Sequence, residues 1–304
     1  MTKNIPKVAH CFWYHPQGLP YLRFLSIASF ALLNPDYELI YYSPTIPLPT
    51  GRVFNTHEQG SQVITSDCTE LLLSISNVTL CHVDPTDRLF PMSLVKTAVH
   101  FTDLFRLELL STEGGYWMDS DIIFTKPLGH SIYASPEFGN VNTVHTLSSL
   151  GPICPYVSHR ISFMGAAPGN SFFAALLDAA VNRSNTGDYE VFGASLYQAM
   201  YPSLDRLYSS HPDCTFIMLP TAAIYGIDLS AFLSHRLSME SILNSNVFLG
   251  VHWYGGGDHL NDLYSKVNNF NPTRDRLSSI LVRPNLFEKL FLFAESLALP
   301  LLHG

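Results

Sequence analysis

The chain of 304 residues is 47% hydrophobic and only 14% charged, which supplies a sizeable buried core and excludes a disordered chain. Its net charge of −8, with no Lys/Arg-rich stripe to offset it, would repel a polyphosphate backbone, so no nucleic-acid partner is expected. The length suits one large α/β domain spanning 1–304, and no linker-like stretch divides it.

The five cysteines, Cys11, Cys68, Cys81, Cys154 and Cys214, are odd in number and include no C-x-x-C pair, so neither a disulfide framework nor a zinc site is expected. Residues 1–20 lack the continuous apolar stretch of a signal peptide or membrane span, and a soluble, cytoplasmic chain is expected. Two glycosylation triplets, at Asn77 and Asn182, carry no weight without a secretion signal.

In chain order, the β-branched and aromatic run Val8 to Tyr14, bounded by Pro6 and Pro16, predicts a buried strand with Trp13 at its C-terminal end. Residues 21–33 predict a helix that Asn34-Pro35 stops, and Tyr37 to Tyr42 a second strand. Strand, helix and strand make a βαβ unit, whose ligand crevice lies beyond the C-terminal strand ends. A third strand is expected at Leu80 to Asp84, and a helix over 94–111 whose Leu94, Ala98, Phe101, Phe105 and Leu109 form one apolar face. Asp103 and Arg106 fall off that stripe, one turn apart.

Gly114-Gly115 permits a sharp turn into a strand at Tyr116 to Met118, with Asp119-Ser120-Asp121 at its end and a further strand from Ile122. Helices are expected at 171–181, near 192–200 and over 285–299, and a strand through Val247 to Leu249 running into the loop Val251 to His259.

Two aspartates separated by one small residue at a strand end can share a hard divalent cation and a ribose. An isolated D-x-D more often decorates a solvated turn. Here its setting is helix, Gly-Gly turn, strand, acidic turn, strand. With Ile5-Pro-Lys-Val-Ala-His-Cys-Phe-Trp13 and Asn34-Pro-Asp-Tyr37, this order resembles glycosyltransferases of the GT-A fold whose sugar-binding region contains the DXD motif, including Och1-like mannosyltransferases and glucosylating toxins. The resemblance covers residues 5 to about 128.

That resemblance implies an α/β fold with a Rossmann-like central mixed sheet flanked by helices, a nucleotide-sugar and metal half at 1–128, and an acceptor-side half at 129–304. It implies transfer from a nucleotide diphosphate sugar, UDP favoured over GDP, to a glycan, protein or lipid hydroxyl, with Mn²⁺ or Mg²⁺ and with retention. Trp13 would stack on the base, Asp103 and Arg106 would hold the sugar, and Asp119 and Asp121 would bind ribose and metal-diphosphate. His10, Tyr116 and Trp253 join the donor site on the same ground, Trp253 over the diphosphate. His252 is the candidate third metal ligand and His259 the fallback.

The alternatives at single residues are a structural helix ion pair for Asp103 and Arg106 and a core histidine for His252. The chain departs from the family where Ile161-Ser162 stands in place of a usual Asn, and where Ala194 replaces a proline in Phe192-Gly-Ala-Ser195. Competing functions are a haloacid dehalogenase-type phosphatase, which also uses D-x-D after a strand but needs a downstream acidic pair, and an inactive sugar-nucleotide-binding module.

Overall fold

The computed structural model describes residues 5–49, 66–128, 143–149, 157–219, 222–225, 238–255, 261–267, 270–272, 274–281 and 284–302. Cys154 and His259 lie outside the described residues.

The first half alternates β1 (Val8–Phe12), α1 (Tyr21–Leu33), β2 (Glu38–Pro44), α2 (Thr69–Leu73), β3 (Val78–Val83), α3 (Ala98–Thr112), β4 (Gly115–Met118) and β5 (Ile122–Phe124). It continues through β6 (Thr143–Ser149), β7 (Val157–Ala166), α4 (Ser171–Val181), α5 (Ala194–Met200), α6 (Leu204–Ser210), β8 (Phe216–Leu219) and α7 (Ala222–Tyr225). The chain closes with α8 (Met239–Asn244), β9 (Gly250–His252), α9 (Asn261–Val267), α10 (Leu277–Ile280) and α11 (Leu286–Leu302).

A seven-stranded sheet has the order β3-β2-β1-β4-β7-β6-β8, and β5 pairs separately with β9. β7 is antiparallel to both β4 and β6, while the other pairings in the large sheet are parallel. This mixed sheet between helices is the expected α/β architecture.

Side-chain alternation along β1 and β2 divides the core between the sheet's two faces. Ala9, Cys11, Leu39 and Tyr41 pack into one cluster with α1 and α11. Phe12 and Tyr42 pack into the other, with α3, α4 and α5.

Local chemistry sets the ends of these elements. Asn34 caps α1, where its side chain donates to Phe30 O at 2.9 Å and accepts from Leu128 N at 2.7 Å, tying the helix to the chain beyond β5. Asn77 donates to the carbonyls of Ala31, Asn34 and Tyr37, so the first glycosylation triplet has a side chain engaged in the α1–β2 turn. Gly114 and Gly115 both have positive φ, 71° and 92°. A Cβ on Gly114 would sit 2.6 Å from Ala166 O, so the turn before β4 needs glycine for space as well as for conformation.

The expected helix over 94–111 begins later, at Ala98, because the Thr97 side chain accepts from His100 N and caps it there. Met92–Leu94 is a separate 3-10 turn. Asp103 and Arg106, off the apolar stripe, are nevertheless both buried, because α3 is covered on nearly all sides.

Candidate metal and nucleotide site

β4 carries Asp119 and Asp121 to the C-terminal edge of the sheet, where a crevice of about 400 Å³ opens. Trp13, Arg23, Asp103, Arg106, Asp119, Ser120, Asp121, Ser162, Tyr225 and His252 are among its lining residues. This is the place expected for ligands in an open α/β sheet.

β9 supplies His252 through its antiparallel pairing with β5, in which Ile122 lies opposite His252. His252 Nε2 comes within 3.3 Å of Asp121 Oδ1. One ligand atom each from Asp119, Asp121 and His252 lies within 4.8 Å of the others. Two carboxylates and an imidazole suit a Mn²⁺- or Mg²⁺-type cation. The ring stacks on Tyr225 with centroids 5.0 Å apart and meets Tyr254 edge-on at 4.4 Å, which fixes its plane. Its Nδ1 is buried with no hydrogen-bond partner. A buried imidazole with Nδ1 unpartnered and Nε2 beside a carboxylate is not the satisfied core histidine of the alternative reading.

Asp121 also accepts from Gly255 N at 3.0 Å and stands 3.6 Å from the Arg23 guanidinium. Burial acts to raise its pKa, but His252, Arg23 and the Gly255 amide outweigh it and hold the carboxyl well below the usual range. Asp119 accepts from Trp117 Nε1 at 2.8 Å and lies 3.7 Å from Arg106. Both carboxylates are therefore held in place by donors on the protein.

Asp103 and Arg106 form a direct ion pair on α3, with side chains 4% and 5% exposed. Arg106 Nη1 donates to Ile161 O at 2.8 Å. Burial acts against its charge, yet Asp103 and Asp119 raise its pKa and keep it a cation. Gly193 sits close behind, where a Cβ would come 3.1 Å from Asp103 Oδ2. Both segments that depart from the family pattern, Ile161-Ser162 and Phe192 to Ser195, thus adjoin this pair.

Three expected donor-site residues lie elsewhere. His10 is buried on β1, with Nδ1 at 2.9 Å from Tyr42 Oη and Nε2 at 2.8 Å from Gly114 O, so one ring nitrogen is engaged by β2 and the other by the Gly-Gly turn. Tyr116 stacks on Phe163 and meets Tyr37 edge-on, within the core layer opposite α3. Trp253 is fully buried and donates to Ser26 Oγ at 2.7 Å, because consecutive residues of an extended segment point to opposite sides and His252 takes the side facing the crevice.

Arg23 was not singled out from the sequence. Its guanidinium lies between the rings of Trp13 and Trp253, at 4.4 and 4.9 Å, and donates to Ser120 Oγ at 2.9 Å. The signal was a lone cation in the first turn of an otherwise apolar helix. Tyr225 gave no signal; its hydroxyl donates to Ser162 Oγ and accepts from Ser162 N at 3.0 Å.

The C-terminal loop fits against Arg23 through Gly255, where a Cβ would sit 2.3 Å from Nη2. Arg23 cannot swing away without leaving both tryptophans. Gly255→Ala should therefore destabilise the protein by about 1–3 kcal/mol, the usual cost of overpacking. Denaturant unfolding measures this, and an unchanged midpoint would show that Arg23 is free to move.

Residues 24–139 match the family model described as the glycosyltransferase sugar-binding region containing DXD motif, and residues 91–190 match that of a capsular polysaccharide synthesis protein. No curated protein matches the chain in sequence. Among solved structures, the PaToxG glycosyltransferase is 17% identical with TM-score 0.46, over 97% of this chain and 87% of that one. The WbbM bifunctional glycosyltransferase is 11% identical with TM-score 0.46, over 97% of this chain and 50% of that one. GlyE of Streptococcus pneumoniae TIGR4 is 12% identical with TM-score 0.43, over 98% of this chain and 62% of that one. This chain thus spans about half of WbbM and less than two thirds of GlyE. At these identities and TM-scores the overlaps assign no residue a role.

Proposed function

We propose that the chain is a glycosyltransferase with the DXD-containing sugar-binding region, whose family model residues 24–139 match, and that it moves a hexose from a UDP-sugar, favoured over a GDP-sugar, to a hydroxyl acceptor with retention of configuration. The proposal includes a divalent cation, Mn²⁺ or Mg²⁺, and a single catalytic domain with its donor side in 1–128. The observation that carries it is the convergence of Asp119, Asp121 and His252 in one crevice with Trp13 and the Asp103–Arg106 pair.

In this reading Asp119, Asp121 and His252 hold the cation, which when bound offsets the negative charge of the leaving diphosphate. Arg106, held positive and fixed by Asp103, adds a preorganised charge beside the reacting centre. Asp103 and Arg106 together orient the sugar. Trp13 has one face against Arg23, and the base stacks on the other.

Retention is what the family resemblance implies, and the use of the crevice acids favours front-face attack, assisted by the departing phosphate oxygen, over a covalent intermediate. Asp103 is tied to Arg106, and Asp119 and Asp121 belong to the cation site. Glu190 lies on the exposed rim. NMR of the product anomer tests this, and an inverted product would refute it. The phosphatase alternative has little support, since these same assignments leave no further acidic pair for its metal among the described crevice residues.

Trp13→Ala should weaken nucleotide binding by about 1–3 kcal/mol, the worth of base stacking on an aromatic ring, with the fold retained. An unchanged UDP affinity would remove Trp13 from the site.

Mn²⁺ should bind more tightly with UDP present than alone, because the diphosphate supplies oxygen ligands that the protein lacks, and EDTA should abolish transfer. Calorimetry with and without UDP measures the coupling. Transfer from a panel of UDP- and GDP-sugars with Mn²⁺, Mg²⁺ or EDTA tests the whole proposal; no turnover of any donor would favour the inactive binding module.

A further inference from the structure

Away from the crevice, four of the five residues between α6 and β8 form a turn that brings together a second set of metal-ligating side chains. His211-Pro-Asp-Cys214 is a tight turn, closed by Cys214 N donating to His211 O at 3.1 Å. Pro212 occupies its second position, where its fixed φ favours such a turn. The turn places the first and last side chains side by side, and one ligand atom each from His211, Asp213 and Cys214 lies within 4.8 Å of the others.

Three neighbours complete the arrangement. His211 Nε2 is 2.6 Å from the Tyr201 hydroxyl, so a metal held by Nδ1 would find the other ring nitrogen already engaged. This is the outer support that metal-bound histidines usually have. Edge-on packing of the His211 ring against Phe172 at 5.4 Å holds it in place. Ser171 Oγ, in the first turn of α4, lies 2.9 Å from Asp213 Oδ2 and 3.3 Å from Cys214 Sγ, so a hydroxyl is at hand beside the three ligands.

We propose that His211, Asp213 and Cys214 form a second metal site, selective for a borderline-soft divalent ion of the Zn²⁺ class, with a fourth position open to water or to Ser171. The donor set decides the class. A thiolate and an imidazole favour zinc-type ions over Mg²⁺ and Mn²⁺, whereas Asp119, Asp121 and His252 offer mainly carboxylate oxygen. Tetrahedral zinc, with Zn–S of about 2.3 Å and Zn–N of about 2.0–2.1 Å, needs ligand atoms roughly 3.3–3.7 Å apart, within reach of the observed cluster. The missing C-x-x-C pair does not count against it, since histidine here takes the place of the first cysteine. On binding, the thiol proton is released to solvent and a Cys214–metal bond forms in its place. The ion would pin the α6–β8 connection against the start of α4.

Co²⁺, a spectroscopic stand-in for zinc, tests the site on the full-length chain. Titration should produce a near-ultraviolet thiolate-to-cobalt charge-transfer band that Zn²⁺ displaces. Asp121→Asn should keep the band, and Cys214→Ser should abolish it while remaining folded by circular dichroism. If Cys214→Ser does not fold, Asp213→Asn carries the test, because Asp213 is exposed. That variant should bind Co²⁺ at least about tenfold more weakly, the loss seen when even an outer partner of a metal site is removed. No band in the parent protein, a band that survives in Cys214→Ser, or unchanged affinity in Asp213→Asn would overturn the proposal.

Discussion

Asp121→Asn should lower turnover by roughly a hundredfold to a thousandfold while leaving a folded protein. Asp121 is the point where the cation site, the Arg23 guanidinium and the C-terminal loop meet. The amide keeps the shape and one oxygen to accept from Gly255 N, but it loses the charge that attracts a cation. Loss of a direct ligand and its transition-state stabilisation costs about 3–4 kcal/mol, the scale of a lost electrostatic stabiliser. The fold should tolerate the change, since Arg23 keeps Ser120 and both tryptophans as partners. Metal-dependent turnover within two- or threefold of the parent, in a folded variant, would remove Asp121 from the reaction.

Arg106→Met should destabilise the fold by about 3–5 kcal/mol, the cost of breaking a buried ion pair from one side. The substitution leaves the Asp103 carboxylate with almost no exposure to water and no counter-charge, and Ile161 O without its donor. The loss should depend on pH. Burial already pushes the Asp103 carboxyl up, and removing the guanidinium takes away a force that pulled it down. The folded variant then holds a proton that the unfolded chain releases above the ordinary aspartate range, so its stability falls as pH rises through that window. The Asp103 carboxyl is already raised to about 7 in the parent, so the deficit relative to the parent is smallest below that pH and widens as pH rises through and above it. Adding Asp103→Leu should recover part of the stability, since both charges are then gone. Urea unfolding of the three variants at two pH values measures this. A loss below about 1 kcal/mol for Arg106→Met would mean that the pair is in effect a solvated surface bridge.

Much of the chain through β5, and α4 beyond it, was readable because the signals are local. The Asn34-Pro35 stop, the Gly114-Gly115 turn and the apolar periodicity of residues 21–33 and 171–181 each act within a few residues, and α1 and α4 occupy the expected spans. β7 was harder to see. Ser162, Phe163, Met164 and Ala166 are buried one after another, and a strand covered on both faces loses the alternation that marks strands at an edge or surface.

The sequence by itself determined the order of strands and helices through β5 apart from the short helix α2, the place of Asp119 and Asp121 at a strand end, and the one-turn spacing of Asp103 and Arg106. These follow from backbone preferences and from periods of two and 3.6 residues, which need no distant partner. Tertiary structure alone decided that Asp103 and Arg106 are buried, that Arg23 lies between two tryptophans, and that His10, Tyr116 and Trp253 turn into the core. It also decided that His252 meets Asp121, through the pairing of β5 with β9 across some 130 positions of chain. The direction of a side chain at the end of a strand depends on which neighbour pairs there and in what register, and a one-residue shift would have exchanged His252 with Trp253.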